Sequence, residues 1–296
     1  MFCAACTNVS CGSEFGGEPN RLRKLVPFLV FCLLLLLGFG GWLVWRRWRV
    51  LQRNSVRDAR FPDTWRAMLS RNVRLYRKLP ESLRHQLHGH IHAFLHSKSF
   101  YGCAGFEITD EVRLIVAAQA CMLLLNRETD YFPGFTSILI YPDSYVARAV
   151  EHDGPIAGVT EDVRAGESWH RGPVVLSWQD VLRGARQTGN AFNVVIHEFA
   201  HKLDEENTDS AGVPLLEDPS LYQAWAEVFN GEYEAMRASR ADSGVLDEYG
   251  ADSPAEFFAV ATETFFERPH ALDREHGGLY RALMSYYKVD PRAWSD

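Results

Sequence analysis

The sequence has little cysteine, and its six cysteines are not arranged as a disulfide framework. They are spread over an N-terminal tail, an apolar run and the body of the chain, at Cys3, Cys6, Cys11, Cys32, Cys103 and Cys121. A small domain held together by disulfides would show regularly spaced pairs, so that class of protein is excluded. Cys3 and Cys6 form a C-x-x-C pair, but no second pair lies nearby, and we assign them no metal or redox role.

The body of the chain also lacks positive charge. Residues 1–60 carry nine Lys and Arg against three Asp and Glu, whereas the remaining residues carry 22 against 35. An acidic surface repels the phosphates of nucleic acids and of anionic lipids. We therefore expect no direct nucleic acid binding. The hydrophobic content of 47% and the eight tryptophans argue for a folded protein with a large core.

Charged residues are absent from one stretch of 21 residues, Leu25 to Trp45. A helix of this length can span the hydrocarbon core of a bilayer, and the stretch ends in tryptophans, which favour the membrane interface. A cleaved signal peptide would be shorter and would end at a small-residue site rather than in Trp-Arg-Arg. We therefore predict a disordered tail over residues 1–20 and a transmembrane anchor with basic flanks over residues 21–50.

Basic residues flank this apolar stretch unequally, with three before it and six after it. By the positive-inside rule, the excess after the stretch places the body of the chain in the cytoplasm. The prediction is a single-pass protein of the inner (cytoplasmic) membrane, with residues 25–45 in the lipid bilayer.

Hydrophobic periodicity divides the body into several helices and two strands. The predicted helices include Asp110–Leu125, Leu221–Arg240, Ser253–Glu267 and Leu279–Lys288, and the predicted strands are Phe135–Tyr141 and Gly172–Trp178. The predicted fold class is α+β, mainly helical with a small sheet and preceded by one transmembrane helix. One hypothesis for Val174–Trp178 is that it forms the edge of a cleft on which an extended peptide pairs, and the alternative is an ordinary core strand.

The segment Ala191–Asp204 reads AFNVVIHEFAHKLD and contains an HExxH motif. On a helix, His197 and His201 lie one turn apart on the same face, so both rings can bind one metal ion. Glu198 lies beside the first histidine, where its carboxylate can accept a proton from a water activated by that ion. The motif predicts zinc-assisted hydrolysis. The alternative is an amphipathic helix with two surface histidines.

A catalytic zinc ion needs three protein ligands and an open position. A third histidine shortly after the motif is excluded, because positions 204 and 207 are Asp and Asn. A glutamate on a later helix is then expected, and Glu256 and Glu263 are candidates because they lie seven residues apart on one helix face. Glu256 is the first choice, although it could instead bond back to the backbone in a capping box. Asp204 would support a ligand imidazole or would be a surface charge.

These residues, together with GFTSILIYP, ESWHRGPVVLSW and DEYGADSPAEFFAV, resemble the Mlc titration factor A family of zinc-dependent peptidases. The resemblance covers about residues 62–290 and implies a gluzincin-like metallopeptidase domain over that range. The tract YGADSPAEFFA is also similar to the catalytic domain of anthrax lethal factor, where a tyrosine lies seven residues before the ligating glutamate. By that resemblance, Glu256 is the third ligand and Tyr249 stabilises the oxyanion.

The resemblance implies a zinc metallopeptidase of aminopeptidase type, with one Zn²⁺ per chain and a peptide or protein as substrate. The family lacks the apolar stretch at residues 25–45, so the membrane anchor predicted from that stretch is an addition in this chain. In this interpretation His197, His201 and Glu256 bind the ion, and Glu198 is the general base. The resemblance also implies a different activity, because members of the family sequester a transcriptional repressor. The alternative is therefore a regulatory binding protein with a transcriptional regulator as its partner. A third hypothesis is a domain in which zinc is purely structural.

Overall fold

The computed structural model describes residues 30–31, 33–42, 56–143, 145–150, 159–164, 166–168, 172–187, 192–207, 211–239 and 244–294. The chain divides into two compact units, Met1–Asn54 and Ser55–Asp296. The predicted tail at residues 1–20 lies outside the described residues, and so does the cysteine pair within it. The second unit contains the whole of the region predicted as the metallopeptidase domain, residues 62–290.

The described residues of the first unit, 30–31 and 33–42, are helical and apolar, and we call them α1. Among the described residues, no helix is both long enough and apolar enough to cross a membrane. The predictions of a preceding transmembrane helix and of a single-pass location in the inner membrane are therefore wrong. The predicted lipid contact of residues 25–45 loses its support with them.

The second unit is mainly helical. Its α-helices are α2 (Asp63–Asn72), α3 (Arg74–Lys78), α4 (Glu81–Ser97), α5 (Asp110–Met122), α6 (Trp178–Arg186), α7 (Val194–Asp204), α8 (Tyr222–Ser239), α9 (Pro254–Glu267), α10 (Pro269–Glu275) and α11 (Gly277–Tyr287). Its strands are β1 (Ser99–Gly102), β2 (Ser137–Tyr141), β3 (Tyr145–Val150), β4 (Val159–Arg164), β5 (Gly166–Ser168) and β6 (Val174–Ser177). Short 3-10 helices occur at Pro219–Leu221, Glu248–Ala251 and Pro291–Ala293. The prediction of a mainly helical fold with a small sheet is confirmed.

The strands form a four-stranded sheet and a separate hairpin. In the sheet the order is β1-β2-β6-β5, with β1, β2 and β6 parallel and β5 antiparallel to β6. The hairpin pairs β3 with β4. Because β6 is paired on both sides, the hypothesis that Val174–Trp178 forms the edge of a cleft is wrong. The short strand β5 occupies that edge.

Helices α5, α7 and α9 pass through the core of the second unit. All residues of α5 from Leu114 to Met122 are buried, as are all residues of α9 from Phe257 to Glu267. On α7, the ring of Phe199 packs against three other rings at centroid distances of 4.9 to 5.7 Å, those of Phe94, Phe132 and Phe135. Each of these helices is preceded by a capping residue whose side chain accepts the backbone N–H of the residue three positions later. The capping residues are Thr109 for α5, Asn193 for α7 and Ser253 for α9. These caps fix the residues at which α7 and α9 begin.

His90 on α4 is a buried histidine that we expect to make the fold sensitive to acid. Its side chain is 1% exposed, its Nδ1 lies 3.1 Å from the Tyr131 hydroxyl, and its Nε2 has no hydrogen-bond partner among the described residues. Burial lowers the pKa of His90 to about 4, and the positive charge of Arg57 acts in the same direction. The unfolded chain therefore binds more protons than the folded protein between pH 6.5 and 4. Stability should fall as the pH falls through this range, by about 3 kcal/mol at most.

The measurement is urea unfolding of the protein in EDTA at pH 7 and pH 4.5. We expect His90→Gln to reduce the loss of unfolding free energy between the two values by about 2 kcal/mol. His85→Gln, which removes an exposed histidine from the same helix, is the control. An equal loss in wild type and His90→Gln would contradict the prediction.

Candidate metal centre

Helix α7 presents the two motif histidines on one face. Its N-cap is Asn193, whose side-chain oxygen accepts the N–H of Ile196 at 3.1 Å. The rings of His197 and His201 have centroids 4.8 Å apart, and their side chains are 13% and 15% exposed. The alternative of a helix with two surface histidines is therefore excluded.

The first turn of α9 brings Glu256 to these histidines. Ser253 caps the helix by accepting the N–H of Glu256 at 3.2 Å, as predicted. The Oε2 atom of Glu256 lies 3.0 Å from Nε2 of His197 and 3.3 Å from Nε2 of His201. The two Nε2 atoms lie 3.2 Å apart. We call these three atoms the ligand triangle.

The dimensions of the ligand triangle fit a zinc ion. Ligand atoms at 2.0 to 2.1 Å from a tetrahedral ion lie about 3.3 Å from one another. Within the part of the chain that the structure describes, this is also the one cluster of three His, Cys, Asp or Glu side chains that could hold a metal ion. The donor set of two imidazoles and a carboxylate is one that zinc accepts in catalytic sites.

The charges around the ligand triangle favour a cation at its centre. Burial alone would lower the pKa of His197, but Glu263 and Glu256 raise it well above its usual value. Burial alone would raise the pKa of Glu256, but its hydrogen bonds with His197 and His201 bring it well below the usual range. The site therefore stabilises positive charge on the His197 imidazole and negative charge on the Glu256 carboxylate, and a metal ion at the triangle would interact favourably with both groups.

Glu198 lies buried beside the ligand triangle. Its side chain is 4% exposed, and its Oε2 has no hydrogen-bond partner among the described residues. Burial raises the pKa of Glu198 to about 7, while the nearby His197 and His201 oppose that increase. A carboxylate with an available oxygen and a pKa near neutrality is suited to accept a proton. A divalent cation at the triangle would lower this pKa further.

Glu263, the second candidate for the third ligand, lies on the opposite side of the His197 ring. Its Oε1 is 2.6 Å from Nδ1 of His197, whereas the ligand triangle uses Nε2. The structure therefore brings Glu256, and not Glu263, to the point where the two histidines converge.

Tyr249 lies in the 3-10 helix that precedes α9. Its backbone N–H donates to the Asp247 carboxylate at 3.0 Å, which fixes the turn. Its ring lies 6.0 Å from the His197 ring between centroids, and its side chain is 50% exposed. The structure thus places the predicted phenol beside the site and in contact with solvent.

Asp204, at the end of α7, holds the loop that follows the motif. Its Oδ2 accepts the backbone N–H of Gly212 at 2.8 Å, and its Oδ1 has no hydrogen-bond partner among the described residues. Burial raises the pKa of Asp204, and the backbone N–H of Gly212 opposes this. Among the described residues, Asp204 makes no hydrogen bond with a ligand imidazole, which was one of its two predicted roles, and bonds to the loop backbone instead.

Gly212 is needed at this point of the loop for two reasons. Its φ of +77° is a conformation that residues with a side chain rarely adopt, and a Cβ there would lie 2.4 Å from the carbonyl oxygen of Pro254. Pro254 is the first residue of α9. Any side chain at position 212 would therefore push on the helix that carries Glu256.

We expect Gly212→Ala to lower the unfolding free energy by about 1–3 kcal/mol and to weaken metal binding. The measurements are thermal unfolding and a zinc titration against a competing chelator. Gly231→Ala is the matched control, because Gly231 lies within α8 and a Cβ there meets nothing within 4 Å. That control should be neutral or stabilising by up to about 1 kcal/mol. If Gly212→Ala and Gly231→Ala had the same stability and the same zinc affinity, the contact between Gly212 and Pro254 would not contribute to either property.

A chain of buried polar side chains behind His197 was not predicted. The backbone N–H of Asn193 donates to Glu263 Oε2 at 2.5 Å, and its side-chain amide donates to Glu267 Oε1 at 3.0 Å. Glu267 also pairs with Arg74 on α3. The sequence contained part of the signal, because an Asn directly before a helix is a typical N-cap and Glu267 lies one turn after Glu263. No pattern connects Arg74 with a residue 193 positions away.

A helix with two histidines one turn apart, an adjacent buried glutamate and a further carboxylate from a later helix define an HExxH metallopeptidase. The comparison with family models agrees. The chain belongs to the glucose-regulated metallo-peptidase M90 family, whose model matches residues 43–288. A peptide or protein substrate and a metal ion follow from this membership.

Several relatives match over most of their length. An uncharacterized protein of Synechocystis sp., slr2042, is 38% identical over 271 residues, which cover 90% of this chain and 96% of the relative. Mlc titration factor A of Serratia proteamaculans is 32% identical over 67% of this chain and 77% of the relative. Mlc titration factor A of Escherichia coli O9:H4 is 30% identical over 82% and 91%. The predicted resemblance to the Mlc titration factor A family is confirmed.

Proposed function

We propose that this protein is a zinc-dependent peptidase of aminopeptidase type whose ion is held by His197, His201 and Glu256. The observation that carries the proposal is the convergence of two Nε2 atoms and one carboxylate oxygen at mutual distances of 3.0 to 3.3 Å. Three protein ligands leave one position of a tetrahedral ion open, as in catalytic rather than structural sites. Zinc bound there would supply a water of lowered pKa and a Lewis acid for the substrate carbonyl.

The side chains around the ligand triangle have separate roles in the proposed reaction. Glu198 accepts a proton on its buried Oε2, which has no hydrogen-bond partner among the described residues, and returns the proton to the leaving amine. Tyr249 donates a hydrogen bond from its phenol to the carbonyl oxygen as negative charge develops there. Asp204 supports the site through the loop at Gly212, which packs on the start of α9.

The aminopeptidase type rests on the family resemblance, and it can be tested directly. The zinc-loaded protein is incubated with a panel of peptides in two forms, with a free and with an acetylated amino terminus. Release of the first residue from the free form alone supports an aminopeptidase. Cleavage of both forms at internal bonds would show that the protein is an endopeptidase and not an aminopeptidase. Loss of all cleavage in EDTA would show that the activity depends on a metal ion.

A second function is suggested by the name of the relatives, Mlc titration factor A, which describes them as titrating Mlc. In this alternative the protein binds a transcriptional regulator, and peptide hydrolysis is secondary. A regulatory effect that persists in Glu198→Gln, after hydrolysis has stopped, would make binding the main role. The third hypothesis, that zinc is purely structural, predicts a different result. The zinc-loaded protein would then cleave no peptide of the panel and would unfold when zinc is removed by a chelator.

A further inference from the structure

The His197 imidazole is held through both of its nitrogen atoms. Nε2 belongs to the ligand triangle, and Nδ1 lies 2.6 Å from Oε1 of Glu263. A neutral imidazole carries its single proton on one nitrogen and a lone pair on the other. A carboxylate accepts and does not donate, so Glu263 places the proton on Nδ1 and leaves the lone pair of Nε2 directed at the triangle.

The Glu263 carboxylate can hold the His197 ring in one orientation because it is itself held by a hydrogen bond. Its residue is 7% exposed, and its Oε2 accepts the backbone N–H of Asn193 at 2.5 Å. Asn193 is the N-cap of the helix that carries His197. One carboxylate therefore joins the first turn of α7 to the ring that projects from the same turn.

The contacts continue away from the site. The side-chain amide of Asn193 donates to Glu267, and Glu267 pairs with Arg74. Arg74 also donates from Nε to the carbonyl of Gln187 at 3.1 Å. These groups are buried, with side-chain exposures of 7% for Arg74 and 3% for Glu267. A buried network with most of its members bonded has little freedom to rotate, so Glu263 keeps one rotamer.

We propose that Glu263 is the positioning residue for His197, which sets the tautomer and the orientation of its ring, and that Asn193 holds Glu263 in place. The inference rests on the proposed zinc site. It assigns to Glu263 the part that the sequence suggested for Asp204, whose own hydrogen bond goes to the loop at Gly212. It also explains why α9 contributes two carboxylates to one histidine from positions two helical turns apart.

The test compares Glu263→Ala and Glu263→Gln with wild type in three measurements that do not depend on peptidase activity. These are zinc affinity by chelator competition, the visible absorption spectrum of the Co²⁺-substituted protein, and the ¹⁵N NMR signals of the histidine side chains. We expect Glu263→Ala to lower zinc affinity by about 10–100-fold and to alter the Co²⁺ spectrum. The hydrogen-bonded Nδ1–H signal of His197 should disappear. Glu263→Gln keeps an acceptor for Nδ1–H but turns an amide towards the N–H of Asn193, so we expect a smaller loss of affinity, below about 10-fold.

The control for a purely structural effect is Thr264→Ala. Thr264 is also buried on α9, but its hydroxyl donates within the helix, to the carbonyl of Val260 at 2.9 Å. This variant should lose stability without a change in zinc affinity or in the Co²⁺ spectrum. If Glu263→Ala folds and matches wild type in all three measurements, the inference is wrong even if the protein is a peptidase. If wild type binds zinc but cleaves no peptide, the proposed activity fails while the role of Glu263 is still decided.

Discussion

Replacing Glu198 with Gln is expected to reduce the kcat of peptide hydrolysis by about 10²- to 10⁴-fold and to leave zinc binding at one ion per chain. The variant keeps the shape of a side chain that is 4% exposed, so the fold and the ligand triangle should be preserved. It removes the oxygen that can accept a proton, since the amide of Gln is not a base at neutral pH. The measurements are kcat and KM with a peptide substrate, together with the zinc content.

The pH dependence of the wild-type enzyme should report the same carboxylate. Glu198 must be deprotonated to act as a base, so kcat/KM should fall as the pH falls through its pKa. Burial raises that pKa to about 7 in the metal-free protein, and a bound divalent ion lowers it, so the acidic limb should lie below pH 7. Glu205→Gln is the matched control, because it makes the same chemical change at the end of the same helix, where Glu205 pairs with Lys202. A Glu198→Gln enzyme that retains wild-type kcat would remove Glu198 from the mechanism.

Replacing Glu256 with Ala is expected to reduce zinc affinity by more than the 10–100-fold that loss of an outer partner of a ligand typically costs. The carboxylate oxygen of Glu256 supplies one of the three atoms of the ligand triangle, and two imidazoles alone would leave the ion with two protein ligands. Hydrolysis should fall with zinc occupancy. Thermal unfolding gives an independent reading, since zinc should raise the Tm of wild type and should have little effect on the variant.

Two further variants separate the possible roles of Glu256. Ser253→Ala removes the side chain that caps α9 and should cost about 1 kcal/mol of stability while zinc binding persists. Glu263→Ala should retain weakened zinc binding if Glu263 is a positioning residue. If Glu256→Ala bound zinc as wild type does and Glu263→Ala bound none, the assignment of the third ligand would be reversed.

Local patterns in the sequence predicted those parts of the structure that local physics determines. The predicted helix Ser253–Glu267 is observed as Pro254–Glu267 with Ser253 as its cap, because a capping hydroxyl, a proline and an acidic residue all stabilise the same first turn. The predicted strand Phe135–Tyr141 is observed as Ser137–Tyr141, bounded by Pro142. The convergence of His197, His201 and Glu256 followed from helical periodicity and from the family resemblance together.

Contacts between distant segments could not be predicted in the same way. Strand β5 was missed because three residues carry almost no periodic signal, and its pairing is what makes β6 an internal strand. The hydrogen bond from the backbone N–H of Gly212 to Asp204 was not predicted, because a side chain on the metal face of a helix can equally turn to a passing loop. The charge-free stretch predicted a transmembrane helix from its length, its tryptophans and its basic flanks, whereas no helix among the described residues is both long enough and apolar enough to cross a membrane.

The separation of Glu256 and Glu263 on one helix has a consequence for how this chain can vary. The backbone positions of the two residues lie about 10.5 Å apart along the axis of α9, and their carboxylates meet the two nitrogens of a single ring. Inserting or deleting one residue between them would rotate one carboxylate by about 100° relative to the other. The length of this segment is therefore fixed, and homologues that keep the site should differ here by substitution and never by insertion or deletion.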